Sequence, residues 1–114
     1  MNLPMQRVFL AKLLAQNPDI ILLDEPTNHL DLKYQIELME YVKDWAQSNN
    51  KVVIGVLHDL NLVYYFASYV VLLNKGRIIS SGSPSEVLND KKLQEVYDID
   101  IKSFMLKLLH KWGK

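Results

Sequence analysis

A run of four large aliphatic residues that leads directly into two adjacent carboxylates is the feature that most constrains the fold. Residues 20–23 are uninterruptedly apolar, Asp24 and Glu25 follow, and Pro26 prevents the strand from continuing. Strands of a parallel sheet covered by helices are short apolar runs, because neither face is wet. The pattern predicts a central strand, buried on both faces, with its carboxylates at the sheet edge where open α/β sheets bind ligands.

The segments around this strand alternate between helical and strand patterns. Apolar residues recur at helical spacing before the strand, and β-branched residues dominate the next apolar run. The predicted elements are helices at about 5–16, 31–47 and 59–67, strands at 20–23, 51–57, 69–73 and 77–81, and short helices at 85–88 and 90–97. This order predicts an α/β fold with a parallel-sheet core, helices on both faces, and a C-terminal hairpin plus helices.

Residues 104–112 combine apolar side chains with basic ones and predict one more, amphipathic helix. Such a helix can lie on a membrane surface or dock on a partner. The alternative is a terminal helix packed on its own domain, which is the commoner use of an apolar stripe. The sequence leaves both uses open.

Composition excludes several function classes. The 114 residues fit one domain, and the 13 basic and 13 acidic residues balance, so no nucleic-acid partner is expected. Without cysteine there is no disulfide, thiolate nucleophile or cysteine metal site, as is usual in the cytosol. No apolar run approaches the roughly 20 residues that span a bilayer, which predicts a soluble chain.

The end of the second predicted strand carries His58, and parallel strands end at the same edge of a sheet. His58 is therefore expected near Asp24 and Glu25. Adjacent strand residues point to opposite faces, so both carboxylates reach one site only at a turn, which Pro26 supplies. One carboxylate can then hold a metal while its neighbour activates a water. The structural alternative is that the carboxylates are solvated strand ends and His58 a packing residue.

These residues match a known family. Residues 20–31, IILLDEPTNHLD, strongly resemble the Walker B motif and following D-loop of ATP-binding-cassette (ABC) ATPases. His58 in VLHDL resembles their switch histidine, and residues 6–11 resemble the helix after their signature motif. The resemblance runs from about Gln6 to Asp100, through the hairpin at Gly76 and residues 82–88. Residues 59–62 and 95–97 look most like importers of iron siderophores, haem or cobalamin.

Carried over residue by residue, the resemblance implies a role for each candidate. Asp24 would hold Mg²⁺ through a water, Glu25 would polarise the attacking water, and His58 would contact the γ-phosphate of ATP. Asp31 would act across a dimer interface, whereas His29 aligns with a variable part of the loop and is taken as structural. The resemblance also implies membrane permease subunits as partners and a cytoplasmic location at the inner face of the cell membrane.

The phosphate-binding loop G-x-x-x-x-G-K-[ST] is missing from the sequence, and the four glycines lie too far apart to form one. The glutamine loop is missing too, and residues 1–5 read MNLPM where the signature LSGGQ should precede Gln6. The chain therefore resembles a single partial domain, residues 1–114, whose N-terminal half is absent through truncation, a split gene or a misplaced start codon.

Two hypotheses follow for the function. The first is an ATPase fragment of a transporter subunit that is inactive until a phosphate-binding loop is supplied. The second is a noncatalytic half-domain that associates with itself or with another ATPase subunit. In both cases, the loss of the N-terminal half should leave a sheet edge and apolar helix faces uncovered, which predicts a dimer or higher oligomer. A receiver domain fits less well, because the carboxylates here form an adjacent pair backed by Pro26.

Overall fold

A computed structural model of the chain describes the backbone of residues 3–113 and the side chains of residue 8 and residues 10–113. Residues 1–2 and the Gln6 and Arg7 side chains, which carry part of the family resemblance, lie outside the described residues. The elements are α1 (Leu3–Ala15), β1 (Ile20–Asp24), α2 (Leu32–Asn49), β2 (Val52–Val56), α3 (Leu60–Phe66), β3 (Val70–Asn74), β4 (Arg77–Gly82), α4 (Pro84–Val87), α5 (Asp90–Tyr97) and α6 (Ile101–Trp112). This order confirms the predicted α/β alternation.

The chain forms two compact units, Met1–Phe66 and Ala67–Lys114. In the first unit, β1 and β2 pair in parallel, with Ile20 opposite Val52 and Asp24 opposite Val56. Helices α1 and α2 pack on one face of this sheet. The core between them consists of buried aliphatic side chains: Leu10, Leu14, Ile21, Leu30, Leu38 and Val42. The predicted parallel pair, with both strands ending at one edge, is therefore confirmed.

The opposite face of the parallel sheet is exposed. We call it the open sheet face; it consists of Ile20, Leu22, Val52, Ile54 and Val56, and the side chain of Leu22 is 73% exposed. The prediction that helices cover both faces, and that the strands are buried on both, is wrong for the described residues. The buried side chains of α1 and α2 lie with Ile21 on the same side of the sheet, so they leave the other side uncovered.

The second unit is built on an antiparallel hairpin of β3 and β4. Lys75 and Gly76 at its tip both have positive φ, 51° and 76°, the conformation of a type I′ turn. Its buried aliphatic residues are Val70, Leu72, Val87 and Leu93. Helix α6 begins three residues earlier than the predicted 104–112 segment and contacts α5. Its Ile101 and Met105 side chains are half-buried and none is fully buried, so only part of its apolar side packs on its own domain. No helix within residues 3–113 is long and apolar enough to cross a membrane.

Helix α4 begins with a capping box. The Ser83 side chain accepts a hydrogen bond from the Glu86 backbone N–H, and the Ser83 backbone N–H donates to the Glu86 carboxylate. The Ser83 hydroxyl also donates to Glu86 Oε1 at 2.7 Å. This hydroxyl contact, followed by the backbone one, lowers the pKa of Glu86. Pro84 stands just inside the helix start, where a missing N–H costs nothing.

Replacing this cap is expected to cost measurable stability. Ser83→Ala should lower the free energy of unfolding by about 1 kcal/mol, since it removes a satisfied N-cap. Because the pKa of Glu86 is lowered in the folded state, its ionisation stabilises the fold above the ordinary glutamate pKa and this contribution disappears in acid. The difference between the two proteins should therefore shrink as the pH falls. Denaturant titrations at several pH values measure it, with Ser48→Ala on the exposed side of α2 as the control.

Candidate functional site at the carboxyl edge of the parallel sheet

Glu25 ends the first strand in a left-handed conformation. Its backbone N–H donates to the Val56 carbonyl at 2.9 Å, which extends the pairing of β1 and β2 by one residue. Its φ of 48° then takes the chain out of the strand. The Asn28 N–H donates to the Glu25 carbonyl at 3.2 Å, closing a turn whose second residue is Pro26. The turn expected at Pro26 is therefore present.

The Glu25 carboxylate lies between two side chains. His58 Nε2 contacts its Oε1, and Asn28 Nδ2 donates to its Oε2 at 2.6 Å. The Glu25 side chain is 37% exposed and that of His58 is 75% exposed, so the pair faces solvent. Glu25 and His58 therefore meet at one sheet edge, as the strand ends predicted. A carboxylate fixed by two hydrogen-bonding neighbours and open to solvent can orient a water and accept its proton.

His58 is positioned by the elements on either side of it. It lies two residues beyond Val56, the last residue of β2. The next residue, Asp59, accepts hydrogen bonds from the backbone N–H groups of Asn61 at 2.9 Å and Leu62 at 3.3 Å, which caps the start of α3. Leu62 is buried and holds that helix in the first unit. The short segment that carries His58 is therefore held at both ends.

Asp24 is the last residue of β1 and is exposed, on the same side of the strand as Leu22. Among the described residues its carboxylate makes no hydrogen bond or ion pair, and no group of three His, Asp or Glu side chains is arranged to hold a metal. Magnesium commonly takes one or two protein carboxylates and completes its shell with phosphate and water oxygens. A single free carboxylate at this edge fits Mg²⁺ bound together with a phosphate ligand.

Asp31 lies at the N-cap position of α2, but its side chain makes no capping hydrogen bond and is exposed. Within residues 3–113 no hydrogen bond connects it to Asp24, Glu25 or His58. The loop before it is held by buried Leu30, whose carbonyl accepts a hydrogen bond from Gln35 Nε2 at 2.9 Å. The structure thus brings Glu25 and His58 together beside Asp24 and leaves Asp31 separate.

Asn28 is a site residue that the sequence reasoning did not identify. It donates one hydrogen bond from its backbone and one from its side chain to Glu25, three residues earlier. The signal available in the sequence was that asparagine is a common turn residue whose side chain hydrogen-bonds locally. We assign it a positioning role, because it fixes the orientation of the carboxylate.

ATP-binding proteins of several import systems are similar to most of this chain. No family model matches the chain. The petrobactin import ATP-binding protein YclP of Bacillus subtilis is 40% identical over 96 residues, which are 84% of this chain and 38% of that protein. Other relatives include ATP-binding proteins for import of hemin and of iron(3+)-hydroxamate.

Solved structures of the same kind resemble the fold. A metal-chelate type ABC transporter in an inward-facing conformation matches with a TM-score of 0.77 and 33% identity, over 83% of this chain and 38% of that one. The ATP-binding cassette MJ0796, solved as a dimer after hydrolysis with bound ADP and Pi, matches with a TM-score of 0.62 and 35% identity, over 69% and 34%.

The chain spans between 34% and 40% of the length of the curated relatives it matches. The matched part is the C-terminal part of those proteins. The solved structures are ABC ATPase domains, and this chain shares their α/β class, with a small parallel sheet and helices. The homologues of the chain are therefore ABC transporter ATP-binding subunits, and the chain corresponds to the C-terminal part of such a subunit.

Proposed function

We propose that the chain supplies the water-activating side of an ATP-hydrolysing site in an ABC transporter that imports an iron-siderophore, haem or cobalamin-type substrate. The observation that carries this proposal is the contact between Glu25 and His58 beside Asp24, at the carboxyl edge of a parallel sheet. The names of the relatives, which include petrobactin and hemin import proteins, support the substrate class.

Glu25 acts on the attacking water in this proposal. Its carboxylate orients the water and draws away its proton as the oxygen approaches the γ-phosphate. The contacts with His58 and Asn28 limit rotation of the carboxylate, so less ordering remains to be done when ATP binds. His58 is exposed enough to reach a phosphate, and a ring N–H donated there would stabilise charge on the phosphate oxygens.

Asp24 is the residue that would hold Mg²⁺ through a water. The ion, when bound, neutralises charge on the phosphate oxygens and helps to align the transferred group. Asp24 suits this role because its carboxylate is exposed and, among the described residues, forms no other polar contact. Its position one residue before Glu25 brings the metal side and the water side of the site next to each other.

Asp31 is proposed to act across the interface of an ATPase dimer, as its exposed carboxylate at the start of α2 allows. MJ0796, which this chain resembles, was solved as a dimer. In the same proposal the chain works on the cytoplasmic side of the membrane, beside permease subunits at its inner face. ATP and Mg²⁺ are its ligands.

A noncatalytic interaction module is the second candidate function, and the open sheet face favours it. Five apolar side chains are exposed there on neighbouring strands, and a contiguous apolar surface of this kind marks an association site. The sequence also lacks the glycine-rich loop that binds phosphates. In this alternative the chain pairs with itself or with another ATPase subunit and binds no nucleotide productively.

A chimera separates the two candidates. We would place the N-terminal part of YclP, up to where its match with this chain begins, ahead of the present sequence. The chimera should bind and hydrolyse Mg-ATP, because it contains both sides of the site, whereas the present chain alone should show no tight Mg-ATP binding in a calorimetric titration. A folded chimera that binds ATP without hydrolysing it would support the noncatalytic module. Tight Mg-ATP binding by the chain alone would contradict both candidates.

A further inference from the structure

Helix α6 carries an apolar surface on which no side chain is fully buried among the described residues. Counting about 100° per residue, six of its side chains occupy roughly 140° of the helix circumference. Two of them, Ile101 and Met105, are half-buried, and the other four are exposed: Phe104, Leu108, Leu109 and Trp112. We call this side of the helix the α6 arc. The four exposed side chains lie on one side of the helix between Phe104 and Trp112, so they can contact a flat apolar surface together.

The charges around the α6 arc all have one sign over most of the helix. Lys102 and Lys111 border the arc on its two sides, Lys107 lies beyond Lys111, and no acidic residue occurs from position 101 onward. Acidic neighbours lie at the N-terminal end, where Asp90 pairs with Lys102 at 3.4 Å and Asp100 accepts a hydrogen bond from the Ser103 N–H. Positive charge therefore accumulates toward the C-terminal half of the helix.

We propose that α6 binds the surface of a membrane that contains anionic lipids, with the α6 arc inserted between the headgroups. Lysines at both borders of an apolar arc can extend their stems along it and place their ammonium groups against lipid phosphates. Trp112 suits the interface, where an amphipathic ring is most stable. A helix of 12 residues is about 18 Å long, too short to cross the membrane, so it lies along the surface.

The full chain tests this in a vesicle flotation assay, which distinguishes bound protein from self-associated protein. One set of vesicles contains phosphatidylcholine alone, and the other contains one part phosphatidylglycerol to two parts phosphatidylcholine. Binding should be clear only with the anionic vesicles. It should weaken when the salt is raised from about 0.1 M to about 0.5 M, because the lysine–lipid attraction is screened over a shorter distance.

Two leucines of α6 give a matched pair of variants. Leu109 is 67% exposed and lies on the α6 arc, whereas Leu106 is 54% exposed and lies outside it, about 130° from the middle of the arc. Leu109→Glu should weaken binding to anionic vesicles roughly 10-fold or more, because it removes an inserted side chain and adds a repelled charge. Leu106→Glu adds the same charge outside the α6 arc and should weaken binding to anionic vesicles much less. Lys111→Gln should weaken binding roughly 5-fold on anionic vesicles only.

Three results would overturn the proposal. Equal binding to both kinds of vesicle would show that the lysines do not contribute to binding through anionic lipids. Equal losses for the variants at Leu106 and Leu109 would show that no particular side of α6 meets the lipid. Absence of vesicle binding, together with dissociation of an oligomer by Leu109→Glu, would assign the α6 arc to a protein contact instead. Lys111→Gln keeps the apolar side chains in place, so it remains informative if Leu109→Glu fails to fold.

Discussion

Glu25→Gln is expected to lower ATP hydrolysis by the chimera about 10²- to 10⁴-fold while leaving Mg-ATP binding nearly unchanged. The substitution preserves the size of the side chain and a hydrogen-bonding oxygen, but an amide cannot take a proton from water. Asn28 and His58, which touch the carboxylate in this structure, should still find a partner. The turnover rate and the affinity for Mg-ATP should be measured separately. A lower rate with unchanged affinity indicates loss of the proton acceptor, whereas loss of both indicates a misfolded protein or a role in ligand binding.

Glu40→Gln is the matched control, because Glu40 is exposed on α2, outside the candidate site. It makes the same chemical change and should leave turnover unaffected. A chimera that keeps its full rate after the Glu25→Gln substitution would show that Glu25 does not activate the water, and the role assigned to the sheet edge would be lost. A parallel loss of Mg-ATP affinity would instead assign Glu25 to ligand binding.

The part of the site that lies at the strand ends could be predicted from the sequence. The apolar runs before Asp24 and before His58 each indicated a strand, and parallel strands share a carboxyl edge. That reasoning brought Glu25 and His58 together without knowledge of any contact, and the structure has them in contact. The turn at Pro26 followed in the same way, since a proline that ends a strand leaves few local conformations.

The exposure of the open sheet face could not be predicted from the same strand patterns. Ile20 and Leu22 are apolar, which indicates that they are buried in some assembly, but the pattern does not say which polypeptide covers them. The orientation of the Glu25 carboxylate could not be predicted from the sequence either. It depends on a left-handed φ of 48° in a non-glycine residue and on a hydrogen bond from the Asn28 amide, and neither follows from the residue types in this loop.

The open sheet face should also determine the oligomeric state of the chain. Its apolar side chains on β1 and β2 are exposed, and β1 and β2 are the only two strands of that sheet among the described residues. Each strand therefore has a free edge beside an apolar face, a combination that favours association. At micromolar concentration we expect the chain to be a dimer or a higher oligomer.

Leu22→Glu is expected to weaken this self-association roughly 100-fold or more, because a symmetric interface places the charge on both copies and loses two buried leucines. Folding of the single copy should survive, since Leu22 is already mostly exposed there. Light scattering over a concentration series measures the effect. Leu73→Glu, at a similarly exposed leucine on β3 and away from the parallel sheet, should leave the mass unchanged. A monomeric wild-type chain, or equal effects of both variants, would mean that the open sheet face is not the contact.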